Sequence, residues 1–265
     1  MKSNILSNKV IIIAGASGRI GESFVRGVFE HDGIPILADF DMSKSKKILE
    51  DLQRKYQVEV GEVIKFNALE KESIMDLIKH VSDKYGKIDV LVNTIYPPWK
   101  KGNRVFEDMD VDLFNDGVSK HLGSYFLLSQ QIINYFHTQG YGNLINISSI
   151  QGAFNPKFDT YEGVVVNGIP MYSPIEYSCI KSGINALTTY LSKYLKNTNI
   201  RCNLISPGGI KSGQPERFCK QYKQYCSTKG LLEGDDIRGA FIFLASDMSK
   251  YINGQNIIID DGWSL

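Results

Sequence analysis

Two residues four positions apart, Tyr177 and Lys181, have the types and the spacing for proton transfer. On a helix, side chains at this spacing lie on the same face. A lysine ammonium beside a phenol favours the phenolate and lowers the tyrosine pKa from its ordinary value of about 10. We therefore expect Tyr177 to exchange a proton with an alcohol or a carbonyl group near neutral pH.

A glycine-rich segment near the N-terminus predicts a loop that binds a pyrophosphate. It follows the apolar run Val10–Ala14, which is typical of a buried strand, and it precedes a predicted helix. Such a turn between strand and helix lets backbone N–H groups and the helix N-terminus approach phosphate oxygens. The loop residues expected to bind the cofactor are Gly15, Ser17, Gly18, Arg19, Ile20 and Gly21.

Polar side chains also end two later strands. Asp39 closes the second predicted strand, where its carboxylate can accept hydrogen bonds from an adenosine ribose. Its negative charge would repel the 2′-phosphate of NADP, so Asp39 predicts NAD as the cofactor. Ser148 and Ser149 close another apolar strand, upstream of Tyr177. Because ligands bind at the carboxyl ends of parallel strands, we expect these groups to converge in space.

Strands alternate with helices along the chain, which predicts right-handed βαβ units and a parallel sheet. Strands are expected near residues 9–14, 35–39, 59–66, 88–92, 143–148, 200–205 and 256–260. The clearest helices are expected at residues 71–85, 111–138, 174–196 and 235–246. The predicted fold class is α/β: a Rossmann-type doubly wound parallel sheet of about seven strands, in a single domain over residues 1–265.

Together these residues resemble the short-chain dehydrogenase/reductase family over nearly the whole chain. The resemblance implies that Ser149, Tyr177 and Lys181 are the catalytic residues. It also implies further cofactor contacts at strand ends and after the sixth strand, namely Asn67, Ala68, Asn93, Lys181, Pro207, Gly208, Ile210 and Ser212. The glycine-rich loop departs from the family pattern, since Ala14 replaces a threonine and Arg19 replaces a glycine.

One residue of the family pattern is missing. Many members carry an asparagine on the long fourth helix, three residues before a glycine, and it supports a proton-relay water. In this chain the position falls on Lys120, three residues before Gly123. Either the relay is built differently or the register differs by one residue, and Ser119 and His121 are the neighbours that could substitute.

Two segments are expected to set substrate choice. Ser149 and Tyr177 are 28 positions apart, roughly twice the family spacing, and the inserted piece covers residues 154–171. The second segment, residues 213–232, occupies the place of the family's mobile lid. Both segments offer aromatic rings, carboxylates and amides, which favours a polyhydroxylated substrate over an acyl chain or a steroid.

Composition argues against several classes of partner. The chain has 30 basic and 29 acidic side chains, a formal net charge of +1, which indicates no nucleic-acid partner. Its apolar runs are far shorter than the roughly 20 residues that cross a bilayer, so no membrane partner is expected. Four cysteines without a Cys-x2-Cys pair, and no export signal at the N-terminus, favour reduced thiols in the cytoplasm and no metal site.

The two long helices at 111–138 and 174–196 carry more apolar and aromatic positions than one sheet face can cover. Family members commonly pair these helices across a two-fold axis, so the resemblance implies a homodimer or homotetramer. The tail, residues 260–265, is expected near an interface or a neighbouring active site.

These observations favour a cytoplasmic NAD-dependent oxidoreductase that interconverts a secondary alcohol and a ketone. The expected small-molecule substrate is a sugar or sugar phosphate. Local matches at residues 93–97, 121–123, 161–163, 174–177, 207–210 and 214–215 resemble a bacterial subgroup that accompanies surface-sugar biosynthesis, including legionaminic acid in flagellin glycosylation. The alternatives are a 3-oxoacyl-carrier-protein reductase and, in a different class, a redox-silent dinucleotide-binding scaffold.

Overall fold

The computed structural model describes residues 4–98 and 105–265, and its central sheet confirms the predicted fold class. The strands are β1 (Val10–Ala14), β2 (Ile34–Asp39), β3 (Glu62–Lys65), β4 (Val90–Asn93), β5 (Tyr141–Ile147), β6 (Val165–Val166), β7 (Ile169–Pro170), β8 (Asn199–Pro207) and β9 (Asn256–Ile259). Seven of them form a parallel sheet in the order β3-β2-β1-β4-β5-β8-β9. The order reverses between β1 and β4, which is where such sheets bind ligands.

Helices cover both faces of the sheet. They are α1 (Arg19–Glu30), α2 (Met42–Tyr56), α3 (Lys71–Tyr85), α4 (Val111–Gly117), α5 (Gly123–Gln139), α6 (Ile175–Tyr194), α7 (Glu216–Lys223) and α8 (Gly234–Ala245). Side chains of α1, α2 and α8 pack on one face with Ile11 and Ile13 of β1. Side chains of α3, α5 and α6 pack on the other face with Ile12. Because both faces of the sheet are buried, β1 is apolar throughout and does not alternate between apolar and polar residues.

Element boundaries agree closely with the sequence predictions, with one notable interruption. The helix predicted at 111–138 is divided by a π-helical turn, Val118–Leu122, which lies between α4 and α5. A π turn adds one residue to the helical repeat and changes which side chains face inward. This turn contains Lys120, the residue at the expected relay position.

Residues 165–170 form a β-hairpin that the sequence analysis did not predict. β6 and β7 pair antiparallel through Val166 and Ile169. Asn167 and Gly168, between them, have φ angles of 52° and 79°. Two consecutive positive φ angles define a type I′ turn, for which Asn-Gly is a favoured pair. The inserted piece therefore has a regular structure of its own beside the carboxyl ends of the sheet strands.

Candidate active site

Segments that follow β1, β4, β5 and β8 line a cavity of about 790 Å³. All three predicted catalytic residues, Ser149, Tyr177 and Lys181, lie in its wall. The predicted cofactor residues that share this wall are Gly18, Arg19, Ile20, Gly21, Pro207, Gly208, Ile210 and Ser212. The convergence expected from strand polarity is therefore present in the structure.

Local structure brings Ser149 and Tyr177 together. Ser149 is extended just beyond β5, and its Oγ accepts a hydrogen bond from the Gln151 N–H at 3.2 Å, which begins a short 3₁₀ turn. Tyr177 and Lys181 lie in the first two turns of α6, where they share one face. A Cβ atom at Gly152 would lie 2.7 Å from the Lys181 carbonyl oxygen, so glycine permits the close approach of this turn to α6. The Ser149 side chain also interacts with the Tyr177 phenol in a way that favours the phenolate.

Burial disfavours the charged forms of Tyr177 and Lys181 and therefore shifts the pKa values of the two groups in opposite directions. It raises the pKa of Tyr177 above its ordinary value, and the interaction with Ser149 opposes part of the rise. It lowers the pKa of Lys181 to about 7. The Lys181 ammonium lies 5.7 Å from the centre of the Tyr177 ring and donates a hydrogen bond to the Ile147 carbonyl at 3.2 Å. The predicted lowering of the Tyr177 pKa by Lys181 is wrong here, because desolvation of the phenol dominates.

The loop after β1 has the close backbone approach that a pyrophosphate requires. Gly15 has φ +85°, in the left-handed region that favours glycine. A Cβ atom at Gly21 would lie 2.2 Å from the Gly15 carbonyl oxygen, so a larger residue would force the loop away from α1. Gly18, the N-cap of α1, provides no side-chain cap for the first N–H groups of the helix. This arrangement fits the phosphates of a dinucleotide.

Asp39 and Asn93 end β2 and β4, next to the residues that line the cavity. The Asp39 carboxylate accepts hydrogen bonds from the Ser17 N–H at 2.7 Å and the Asp41 N–H at 2.9 Å. A carboxylate has about four acceptor positions, so Asp39 can hold this loop and still accept from a ribose. Asn93 is fully buried, and its Nδ2 has no hydrogen-bond partner among the described residues. An unpaired buried donor at this strand end fits a site that a polar ligand completes.

Asn67 and Ala68 lie in the turn between β3 and α3, outside the cavity wall. The Asn67 side chain donates to the Glu70 carboxylate at 2.7 Å and accepts from the Leu69 N–H at 3.1 Å. The structure thus gives Asn67 a role in this turn. Contact of Asn67 and Ala68 with an adenine ring stays a prediction.

The π turn contains all three residues considered for the relay position, Ser119, Lys120 and His121. Lys120 lies outside the cavity wall, and its ammonium pairs with the Asp116 carboxylate at 2.7 Å. His121 is fully buried, with its ring centre 5.0 Å from that of Tyr96 and 5.5 Å from that of Tyr125. Both tyrosines line the cavity. Ser119 is exposed, so His121 is the residue considered for the relay that lies beside the cavity wall.

We call residues 154–171, 213–232 and 260–265 the roof of the cavity. They comprise the two segments predicted to set substrate choice and the C-terminal tail. The Gln221 side chain in α7 donates to the Asp159 carbonyl at 2.8 Å, which joins the second segment to the first. The Asp261 carboxylate accepts hydrogen bonds from the backbone N–H groups of residues 228–230, which joins the tail to the second segment. These backbone hydrogen bonds lower the pKa of Asp261 to about 2.

Aromatic rings fill the interior of the roof. Ring centres lie 5.3 Å apart for Tyr161 and Phe218, 5.8 Å for Phe218 and Tyr222, and 5.7 Å for Tyr222 and Trp263. Trp263 is buried and lines the cavity of its own chain. The tail was expected near an interface or a neighbouring active site. Packing of Trp263 against these rings places it in the site of its own chain, and an interface near the tail stays a prediction.

Sequence reasoning missed several residues of the cavity wall, chiefly Tyr96, Tyr125, Tyr222 and Trp263. Tyr96 follows Asn93 by three positions at the end of β4, and that proximity was a usable signal. Tyr125 was counted only as one of many apolar positions on a long helix. Tyr222 accepts a hydrogen bond from the Gly209 N–H at 2.7 Å. This contact joins separate segments of the chain, and no local sequence pattern predicts it.

Residues 4–98 and 105–265 contain no group of three or more His, Cys, Asp or Glu residues that could hold a metal ion. None of the helices within them is both long enough and apolar enough to cross a bilayer.

Known proteins resemble the chain over almost its whole length. A family model described as "Enoyl-(Acyl carrier protein) reductase" matches residues 15–264. The "Post-translational flagellin modification protein A" of Campylobacter coli is 39% identical over 262 residues, covering 98% of this chain and 100% of that protein. The "7alpha-hydroxysteroid dehydrogenase" of Bacteroides fragilis is 32% identical over 267 residues, covering 99% and 96%.

A solved structure shares both the fold and part of the sequence. It is the crystal structure of a short-chain dehydrogenase from Leptospira borgpetersenii with bound NAD+. The two chains are 27% identical, with a TM-score of 0.82, and the match covers 98% of this chain and 94% of the other. The similarity thus includes the complete sheet and the helices on both of its faces.

Proposed function

Because the chain belongs to the short-chain dehydrogenase/reductase family of oxidoreductases, we propose that it interconverts a secondary alcohol and a ketone with NAD as the cofactor. One observation carries the proposal: Ser149, Tyr177 and Lys181 line the same cavity as the glycine-rich loop. A proton-transfer group and a phosphate-binding turn that share one cavity fit the transfer of a hydride between a cofactor and a substrate.

In the direction of oxidation, Tyr177 as phenolate removes the proton of the substrate hydroxyl. Ser149, whose side chain interacts with that of Tyr177, orients the substrate oxygen and stabilises the charge that develops on it. Burial favours the neutral phenol, so formation of the Tyr177 phenolate requires a positive charge on the nearby Lys181 ammonium, 5.7 Å from the ring centre. When bound, the cofactor supplies the hydride-transfer chemistry.

Asp39 supports NAD over NADP. Its carboxylate lies at the end of β2 and is held by the Ser17 and Asp41 N–H groups, so its position is fixed. A fixed negative charge there repels a 2′-phosphate and still offers acceptors to ribose hydroxyls. The solved relative from Leptospira contains NAD+. Four free cysteines are compatible with a reducing cytoplasm, where we place this activity.

A sugar or sugar phosphate is the substrate that the roof supports best. Its part of the cavity wall combines the Gln214 side-chain amide with the rings of Tyr161 and Trp263, and the Gln151 amide, outside the roof, lines the same cavity. Amides can pair with several hydroxyl groups, and aromatic rings cover the apolar face of a pyranose. The relative named for flagellin modification, 39% identical, supports a role in surface-glycan biosynthesis.

A cofactor-absorbance screen tests the proposal. The protein is mixed with NAD or NADP and with sugars, sugar phosphates, nucleotide sugars, a hydroxysteroid and a keto-acyl thioester. We expect turnover with NAD and at least one sugar derivative. Turnover on the thioester alone would select the acyl-carrier-protein reductase, and turnover on the steroid alone would overturn the sugar assignment. Tight NAD binding with no turnover on any class would favour the scaffold alternative.

We also propose a homodimer or homotetramer that pairs the outer faces of α5 and α6. Large rings are exposed there, namely Phe126, Tyr190 and Tyr194 at 52%, 64% and 68%. A two-fold axis would cover the same patch on both subunits. Light scattering at micromolar concentration should give a multiple of 29.8 kDa, and a mass equal to one chain would contradict the pairing.

A further inference from the structure

The hydroxyl of Tyr125 shares a backbone acceptor with Lys181. Tyr125 is almost fully buried on α5, and its hydroxyl lies 2.9 Å from the Ile147 carbonyl oxygen. The Lys181 ammonium lies 3.2 Å from the same oxygen. A carbonyl oxygen has two lone pairs, so it can accept from both donors at once.

The same hydroxyl also lies 3.2 Å from the Asn93 carbonyl oxygen. Asn93 ends β4 and Ile147 ends β5, and the ladder between these strands stops at the pair formed by Asn93 and Asn146. Tyr125 therefore bridges the two strand ends at the point where their own pairing ceases. It ties α5 to the segment that leads directly into Ser149.

A phenylalanine could fill the same volume without needing a polar partner. A buried hydroxyl has to be hydrogen-bonded to offset its desolvation, so the position of this one is restricted. Burial raises the pKa of Tyr125 and keeps the phenol protonated, so its single O–H is a donor that the Ile147 and Asn93 carbonyls share. The hydroxyl therefore limits how far the Ile147 carbonyl, and the ammonium bound to it, can move.

We propose that Tyr125 is a positioning residue that fixes the Ile147 carbonyl and thereby the place of the Lys181 ammonium in the cavity. The proposal rests on the proposed function only in assigning Lys181 to catalysis and cofactor binding. Tyr125 acts through Lys181 and needs no contact with the substrate. One N–H of Lys181 is directed to Ile147, and the other two remain for groups in the cavity.

Tyr125→Phe tests the role, with Tyr135→Phe as a matched control. Tyr135 lies on the same helix, and its hydroxyl bonds to the Gln139 side chain, away from the cavity. In Tyr125→Phe the carbonyl keeps Lys181 as its sole side-chain donor and draws the ammonium toward itself. We expect NAD affinity, measured by calorimetry, to fall about 3- to 10-fold, the range that one neutral hydrogen bond supports.

A second measurement follows Lys181 directly. In protein labelled with 13C- and 15N-lysine, the Lys181 signals, assigned with Lys181→Met, report its titration. We expect the midpoint to rise from about 7 in Tyr125→Phe and to stay unchanged in Tyr135→Phe. An unchanged or lowered midpoint together with unchanged NAD affinity would overturn the proposal. The titration needs no substrate, so it decides the role of Tyr125 even if Lys181→Met retains full turnover and the proposed function fails.

Discussion

Replacing Tyr222 with phenylalanine should loosen the connection between α7 and the Pro-Gly segment after β8. The Tyr222 phenol oxygen accepts a hydrogen bond from the Gly209 N–H at 2.7 Å. The ring itself stacks on Trp263 and packs at a tilt against Phe218, with ring centres 5.7 and 5.8 Å away. Tyr222→Phe keeps the ring and removes the acceptor, so it isolates this one contact.

The expected magnitude follows from the environment of Gly209, which is half-buried. A fully buried donor left without an acceptor costs about 1–3 kcal/mol. Because water can reach Gly209 in part, we expect the lower portion of that range, about 1–2 kcal/mol. At 1.36 kcal/mol for each factor of ten, the contact should open about 5- to 30-fold more often.

Amide hydrogen exchange at Gly209 reports that opening directly. Exchange at the Gly209 amide should accelerate about 5- to 30-fold, and NAD affinity should fall by no more than that factor. The matched control is Tyr194→Phe, whose ring is exposed on α6. Exchange at Gly209 that matches the wild type, with unchanged NAD affinity, would show that the hydrogen bond does not hold the segment.

Three further substitutions test the electrostatics of the site. Tyr177→Phe should lower turnover by at least about 10²- to 10⁴-fold while NAD binding persists, and a variant above a tenth of wild-type turnover would refute the role of Tyr177. Asp39→Ala should narrow the preference for NAD in paired titrations of NAD and NADP; tighter NADP binding by the wild type would show that Arg19 outweighs Asp39. Lys181→Met should impair turnover and NAD binding, yet stabilise the fold at pH 7 by on the order of a few kcal/mol. The Lys181 pKa is lowered from 10.5 to about 7, so between these values the unfolded chain binds more protons and wild-type stability rises with pH. Urea unfolding at several pH values should show that the free energy of unfolding rises less steeply with pH in Lys181→Met than in the wild type. Equal slopes in the two proteins would contradict the lowered Lys181 pKa.

Strand polarity explains why much of the site was predictable. Continuous apolar runs located the strands, and their carboxyl ends placed the glycine-rich loop, Ser149 and the Pro-Gly segment around one space. The Tyr177 pKa was not predictable from spacing, because desolvation depends on the rings that surround the phenol. Spacing along a helix determines which side chains are neighbours, whereas the burial of a side chain depends on the packing of the whole fold.

The π turn and the roof show a second limit on what can be predicted from the sequence. Apolar periodicity predicted one helix across residues 111–138 and gave no sign of the turn at Val118–Leu122, which depends on packing against other elements. The hairpin did have a local signal, Asn167-Gly168 between short apolar pairs, and it was overlooked. The place of Trp263 had no local signal, because its partners Tyr222 and Tyr225 are some forty residues earlier in the chain.

The three roof segments are separated in the chain by catalytic and sheet residues, yet their side chains pack as one layer. A foreign second segment grafted alone would lose the rings that contact Trp263 and the N–H groups that bind Asp261. The sheet below would not need to change. Exchange of substrate preference between relatives should therefore succeed when residues 154–171, 213–232 and 260–265 are transplanted together. We therefore propose that substrate specificity is inherited with this layer as a whole, so the boundaries of a chimera should follow contacts in space and not one stretch of sequence.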